Sequence, residues 1–288
     1  MKTKCSLSIC PATLPEVKSI EEMGAKRLES LAHLAQFDLW DQDPHFEEIL
    51  ALVEKIRQRE GHRAASTFFT LHYTEEECEA AQFLRVRSCY AGFDSVGVPE
   101  QYQLSHFFEK VIIYKDKSYD RYEHVEQKLD TMTEKPPKWR AARQFCSDYG
   151  SAMVNLYCSD LAMRTIEKAG LAGASFRPVR NAKTGEPLPN LWQLWPQECE
   201  DFLAPGEYTM TRPCPVCGRT RYVPTQDGRG RIRVRAELVP EDLDFMQVPS
   251  CYGADSGRPF YVISHKAYRL LKDASLDRSL IFEPLDQA

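Results

Sequence analysis

Two stretches decide the fold class: YCSDLAMRTIEKAGLAGASFRPV at residues 157–179 and VISHKAYRLLKDASLDRSLIFEPL at residues 262–285. Ser159 aligns with Ser264, Ala162 with Ala267, Arg164 with Arg269, Ala169 with Ala274 and Leu171 with Leu276. After a one-residue insertion, Phe176 aligns with Phe282 and Pro178 with Pro284. Each copy reads as a short strand, a serine N-cap, a helix of about three turns and a strand ending at proline. The serine oxygen accepts from the orphan amides of the first turn, which is why serine opens both helices. Two β-α-β pieces this far apart point to duplication or pseudo-symmetry. The plainer alternative is chance likeness between two ordinary strand–helix units.

Working outward, residues 16–60 read as helical. Leu28, Leu31, Leu34 and Ala35 recur at three- and four-residue steps, as do Phe46, Ile49, Leu50, Val53 and Ile56 after Asp43-Pro44. Gly61 closes that segment. Thr67 to Tyr73 reads as a strand, and Thr74-Glu75-Glu76-Glu77 as a capping box opening a short helix through Leu84. Arg85-Val86-Arg87 and Phe107 to Tyr114 read as strands, whereas Lys115 to Lys138 reads as a solvated helix or linker. The expected layout is a helical N-terminal segment over 1–62, a small α/β region over 63–140 and a C-terminal domain over 141–288. The expected class is α+β, or α/β.

The strongest local motif is Cys214-Pro215-Val216-Cys217-Gly218-Arg219. Thiolates two residues apart on a tight turn can hold one Zn²⁺ at ~2.3 Å each, and Gly218 lets the turn bend. Arg219 to Val223 and Arg231 to Leu238 read as the strands of a following hairpin, the layout of half a zinc ribbon. A closed structural site needs four ligands, and no second CxxC exists in the chain. Cys199, Cys251 and His265 are the nearest further ligand candidates. A degenerate knuckle without metal is the competing reading. Cys78, Cys146 and Cys158 read as small buried hydrophobes.

The remaining signals exclude more than they assign. With 37 Lys and Arg against 42 Asp and Glu, the net charge is −5, which disfavours nucleic acid as a partner. Arg231, Arg233 and Arg235 alternate with Ile232, Val234 and Ala236, giving a strand with one basic face, yet Glu237, Glu241, Asp242 and Asp244 follow at once. That face suits solvent or an acidic partner better than phosphate. The histidines give no HExxH, and neither a GxSxG elbow nor a phosphate-binding glycine loop is present. Ser264 beside His265 is better read as a cap than as a dyad, and Trp192 and Trp195 as packing against the repeats rather than an aromatic platform. No apolar run approaches the ~20 residues of a membrane span. Met1-Lys2-Thr3-Lys4 begins like a signal peptide, but the stretch before Pro11 is too short for its apolar region, so a cytoplasmic location is expected.

Gly170 to Val179, the Trp-Gln-Leu segment at 192–194, Cys214 to Arg219, Tyr252 to Gly257, Val262-Ile263-Ser264 and Phe282 to Leu285 together resemble the bacterial double-CXXCG motif proteins. The likeness is clearest over 150–288, and the family's first CXXCG is missing. Some members are described as immunity proteins against a toxin delivered by kin. The resemblance therefore implies a non-enzymatic protein that neutralises a cognate toxin, with Cys214, Cys217 and Gly218 as its motif positions. A basic nuclease would suit an acidic protein. The alternatives are a zinc-ribbon-like nucleic-acid binder and an enzyme with an unrecognised site.

Overall fold

The computed structural model describes residues 1–12, 14–28, 33–61, 64–89, 91–94, 108–114, 121–127, 130–141, 143–149, 155–199, 208–210, 222–224, 233–248 and 260–287. The fold is α+β, as expected. The contacts divide the described residues into two compact units, one spanning Met1–Glu77 and the other from Cys78 onward.

The first unit alternates β1 (Lys2–Ile9), α1 (Pro15–Glu22), β2 (Arg27–Leu28), β3 (Ala35–Trp40), α2 (Phe46–Glu60) and β4 (Ala65–His72). Its antiparallel sheet has the order β2-β3-β1-β4, which is the split β-α-β arrangement of the ferredoxin-like fold. The expected helical segment is thus corrected. Ala35, Phe37 and Leu39 alternate inward at period two and pack on Cys5, Leu7 and Ile9 of β1. The leucine spacing upstream mimicked a helical stripe. Helix α2 is as read, burying Phe46, Ile49, Leu50, Val53 and Ile56 and ending at Gly61 with φ +92°. Asp43 is not its side-chain cap: the carboxylate instead accepts from the Trp40 amide at 2.7 Å, closing the turn after β3. The capping box opens α3 (Glu75–Ala80), with Thr74 N–H donating to Glu77 at 2.8 Å and Glu77 N–H donating back to Thr74 Oγ1 at 3.2 Å.

The second unit holds two larger sheets. One has the order β6 (Ala91–Asp94), β10 (Phe145–Tyr149), β11 (Leu156–Cys158), β13 (Pro187–Leu194), β12 (Phe176–Asn181) and β9 (Met132–Thr133). The other has the order β14 (Gln197–Glu198), β18 (Phe245–Val248), β19 (Phe260–Ser264), β5 (Phe83–Ser88) and β20 (Leu280–Pro284). Helix α4 (Asp160–Lys168) joins β11 to β12, and α5 (His265–Asp273) joins β19 to β20. Both crossovers therefore link parallel strands with one antiparallel strand, β13 or β5, set between them. Both helices open as read, Ser159 Oγ accepting from Ala162 N–H at 3.3 Å and Ser264 Oγ from Ala267 N–H at 3.1 Å.

Two antiparallel pairs complete the unit: β7 (Phe108–Tyr114) with β8 (Arg121–Gln127), and β15 (Tyr208–Met210) with β16 (Tyr222–Pro224). β8 corrects the solvated helix or linker expected there. Tyr122 and Val125 are β-formers that a charge-dominated reading undervalued. β17 (Arg233–Val234) pairs in parallel with β21 (Asp286–Gln287) and β16 with β15; most of the hairpin expected over 219–238, residues 219–221 and 225–232, lies outside the described residues.

A buried polar chain runs through the second unit. Thr131 Oγ1 lies 3.0 Å from Tyr157 Oη and donates to Gln193 Oε1 at 3.1 Å. Asn155 Nδ2 donates to Tyr157 Oη at 3.3 Å, and Tyr261 Oη donates to Asn155 Oδ1 at 3.4 Å. Because each of these groups is buried, its desolvation is offset only while the chain of bonds stays whole.

Candidate functional site

A pocket of about 610 Å³ opens at the N-terminus of α5. Its floor is apolar, with Phe83, Val239 and Leu243 buried, and its wall carries Asp244, Ser264 and Lys266. Asp244 is a buried carboxylate with every oxygen engaged. Oδ1 accepts from Ser264 Oγ at 2.7 Å, while Oδ2 accepts from Lys266 Nζ at 3.0 Å and from the Ala172 amide at 3.1 Å. Ser264 donates to Asp244 and accepts from the Ala267 amide, which ties its hydroxyl to the helix cap. The Asp244–Ser264–Lys266 cluster is an anchor for the helix end. Glu237, Glu241 and Asp242 are exposed on the rim, so the recess presents a largely anionic mouth with an apolar base. That combination suits a cationic group joined to an apolar body.

His265 follows Ser264 as the first residue of α5. Its Nδ1 lies 3.1 Å from the Ala81 carbonyl, its Nε2 lies 3.9 Å from Glu79, and its ring tilts against Tyr268. Cys199 is buried beside Phe83, Val234, Met246 and Val262, and burial pushes its thiol above the ordinary cysteine range. Cys214, Cys217 and Cys251 lie outside the described residues. The connection carrying Cys214 and Cys217 begins and ends on the paired strands β15 and β16. Among the described residues, no group of three or more His, Cys, Asp and Glu side chains gathers as a metal site. The Cys158 thiol is pushed well upward by burial and then by Cys146 beside it.

Arg233 is exposed while Val234 is buried, the alternation expected, and Arg233 stands opposite Asp286 in the parallel pair. Arg231 lies outside the described residues. Trp192 donates from Nε1 to Asp160 Oδ1 at 2.6 Å, and the Arg177 guanidinium stacks 3.6 Å over Trp195, so both tryptophans serve the strand–helix unit around α4. Among the described residues, no helix is long and apolar enough to cross a membrane.

Two structural residues escaped the sequence reading. Asp244 looked like one more charge in an acidic run; its position directly before Phe245, as Gln144 stands before Phe145, was the available signal. Asn190 occupies the left-handed region at φ +58° and accepts from the first amide of α4, Asp160 N–H, at 2.6 Å. Asparagine inside a strand-like run was its only mark. No protein-family model matches the chain, and no curated protein matches it.

Proposed function

We propose that this protein is a non-enzymatic, cytoplasmic immunity-type protein that neutralises a cognate toxin by binding it. The observation that carries the reading is the acid-rimmed pocket at the α5 N-terminus, where Glu237, Glu241 and Asp242 surround an apolar base. A basic toxin, such as a nuclease, would place a lysine or arginine there, and the net charge of −5 would speed the encounter. The residues that bear the family resemblance serve the scaffold. Gly173 admits a close backbone approach, Ser264 caps α5 and Pro284 ends β20. A shared scaffold with a variable recognition surface is what a set of toxin-specific binders requires.

A structural zinc ion, held by Cys214 and Cys217 in a zinc-ribbon-like knuckle, belongs to the same proposal. The two cysteines stand on the connection between the paired strands β15 and β16, so a metal ion held by them would clip that connection. Cys199, Cys251 and His265 remain the candidates for the other ligands. Elemental analysis of the purified protein, beside C214S/C217S, tests this point; metal content unchanged by the substitutions would remove it.

Co-expression with the product of the neighbouring open reading frame tests the function. Growth should be rescued by the wild type and lost with E237K/E241K/D242K at unchanged thermal stability. Absence of rescue by the wild type refutes the immunity reading, and full rescue by the triple variant removes the pocket from it.

A further inference from the structure

The two strand–helix units belong to a larger correspondence. From Phe83 onward, the first half of the unit runs β5, β6, β7–β8, β9, β10, β11, α4, β12; the second runs β13, β14, β15–β16, β17, β18, β19, α5, β20. The registers agree almost residue for residue. Phe145 opposes Cys158 in one sheet, and Phe245 opposes Ile263 in the other. Phe176 opposes Leu194 and Pro178 opposes Trp192, as Phe282 opposes Val86 and Pro284 opposes Leu84. At the sheet edge, Arg180 and Asn181 pair in parallel with Met132 and Thr133, as Asp286 and Gln287 do with Arg233 and Val234.

The hydrogen bonds that carry these ladders past the strand ends repeat as well, and so do the side-chain bonds beside them. Ser159 N–H donates to Gln144 O at 3.0 Å, and Ser264 N–H donates to Asp244 O at 3.0 Å. Ser159 Oγ donates to the Gln144 side chain as Ser264 Oγ does to Asp244. Gln197 N–H donates to Gly173 O at 2.8 Å, and Cys89 N–H donates to Ser279 O at 3.0 Å. The first amide of α4 is held by the Asn190 side chain, just ahead of the part of β13 that pairs with β11, and that of α5 by the Gln82 carbonyl, just ahead of β5. Even the diagonal contact across the inserted strand is kept while its chemistry changes: Arg177 stacks on Trp195 where Glu283 pairs with Arg87 at 3.0 Å.

We infer that the second unit is a fused pair of equivalent halves in which each half gives its first strand to the sheet of the other. β5, from the first half, fills the gap between β19 and β20; β13, from the second, fills the gap between β11 and β12. Neither half closes its own sheet, so the two are locked by reciprocal exchange, the geometry by which identical protomers form exchanged dimers. The turn at Ala182–Gly185, which joins the halves, is then a tether rather than a structural necessity. The same order of elements makes the connection at 115–120 the counterpart of the connection at 211–221. It reads Lys115-Asp116-Lys117-Ser118-Tyr119-Asp120 and has no cysteine, so the lone cysteine motif belongs to one half of a symmetric pair. This inference is independent of the toxin-binding reading.

A site-specific protease sequence in a Gly/Ser linker, inserted between Lys183 and Thr184 of the full chain in a short and a long version, tests it. After cutting, the two pieces should co-elute one-to-one at the uncut size, separate only in denaturant, and melt together in one transition. Pieces that elute apart as folded bodies overturn the inference. So does failure of both uncut versions to fold, because a tether tolerates lengthening. A second variant probes the equivalence itself: D244Q places the first half's residue in the second and should keep the Ser264 cap, whereas D244L should lose it. Equal loss of stability in D244Q and D244L would also overturn the correspondence.

Discussion

Replacing Gly173 with alanine should be among the most damaging single-atom additions the second unit can receive. Gly173 sits at φ +82°, and a Cβ there would meet the Phe245 carbonyl oxygen at 2.2 Å and Leu243 Cδ2 at 3.0 Å. The oxygen is backbone and cannot rotate away. The neighbouring Ala172 carbonyl accepts from both Asp244 and Phe245 N–H at 3.0 Å, so this loop is stitched to the start of β18. The left-handed conformation costs an L-residue ~1–2 kcal/mol, and overpacking a tight contact adds ~1–3 kcal/mol, giving a loss of ~2–5 kcal/mol. At ~2–4 °C per kcal/mol for a domain of this size, the melting temperature should fall by ~4–20 °C. Gly185 supplies the control. Its φ is +73° but nothing lies within 4 Å of its Cβ direction, so G185A should lose only the conformational part. Differential scanning calorimetry on both variants separates collision from conformation. Equal losses in G173A and G185A would refute the argument that the close approach is what glycine serves.

Further outcomes concern the cap, the thiols and the first sheet. N190A should lose ~1 kcal/mol or more through the missing acceptor for Asp160 N–H, and N190G should recover part of it by relieving the left-handed backbone; urea melts would register the order. Alkylation at mild alkaline pH, read by peptide mass spectrometry, should label exposed Cys89 well before Cys158, whose burial raises its thiol; equal labelling would contradict the packing. Burial alone would raise the Asp38 carboxyl, but hydrogen bonds from Lys4 and Ser6 outweigh it and hold it below its ordinary value. A depressed carboxyl contributes stability above its unfolded value of about 3.9 and loses it as pH falls through the folded one. D38N should therefore melt lower than wild type at pH 7 and converge with it below about pH 4; a gap that widened on acidification would reverse the sign.

Much of the local structure was legible. Ser159 and Ser264 announced their helices because a cap is a contact over three residues, and the Thr74–Glu77 box is equally local. Arg85-Val86-Arg87 read as a strand for the same reason. What no window could show is where that strand goes, because its neighbours β19 and β20 lie at the far end of the chain. The N-terminal unit was misread where two periods overlap: Leu34 and Ala35 fit a helical spacing with Leu28 and Leu31, while Ala35, Phe37 and Leu39 obey the strand period that tertiary burial selects. The pocket residue Asp244 was hidden by composition, since an anchoring carboxylate and a solvated one are the same letter.

The placement of β5 also has a temporal side. Arg85 donates to Glu283 across 198 residues of chain. At about 5–20 residues per second on a ribosome, β5 waits on the order of ten to forty seconds for that partner to be made. During synthesis it is a short strand of alternating apolar and basic residues with both margins open, the kind of segment that invites wrong pairing. A chain truncated before Leu280 would leave one of those margins open for good, so β20 guards against aggregation as much as it extends the sheet.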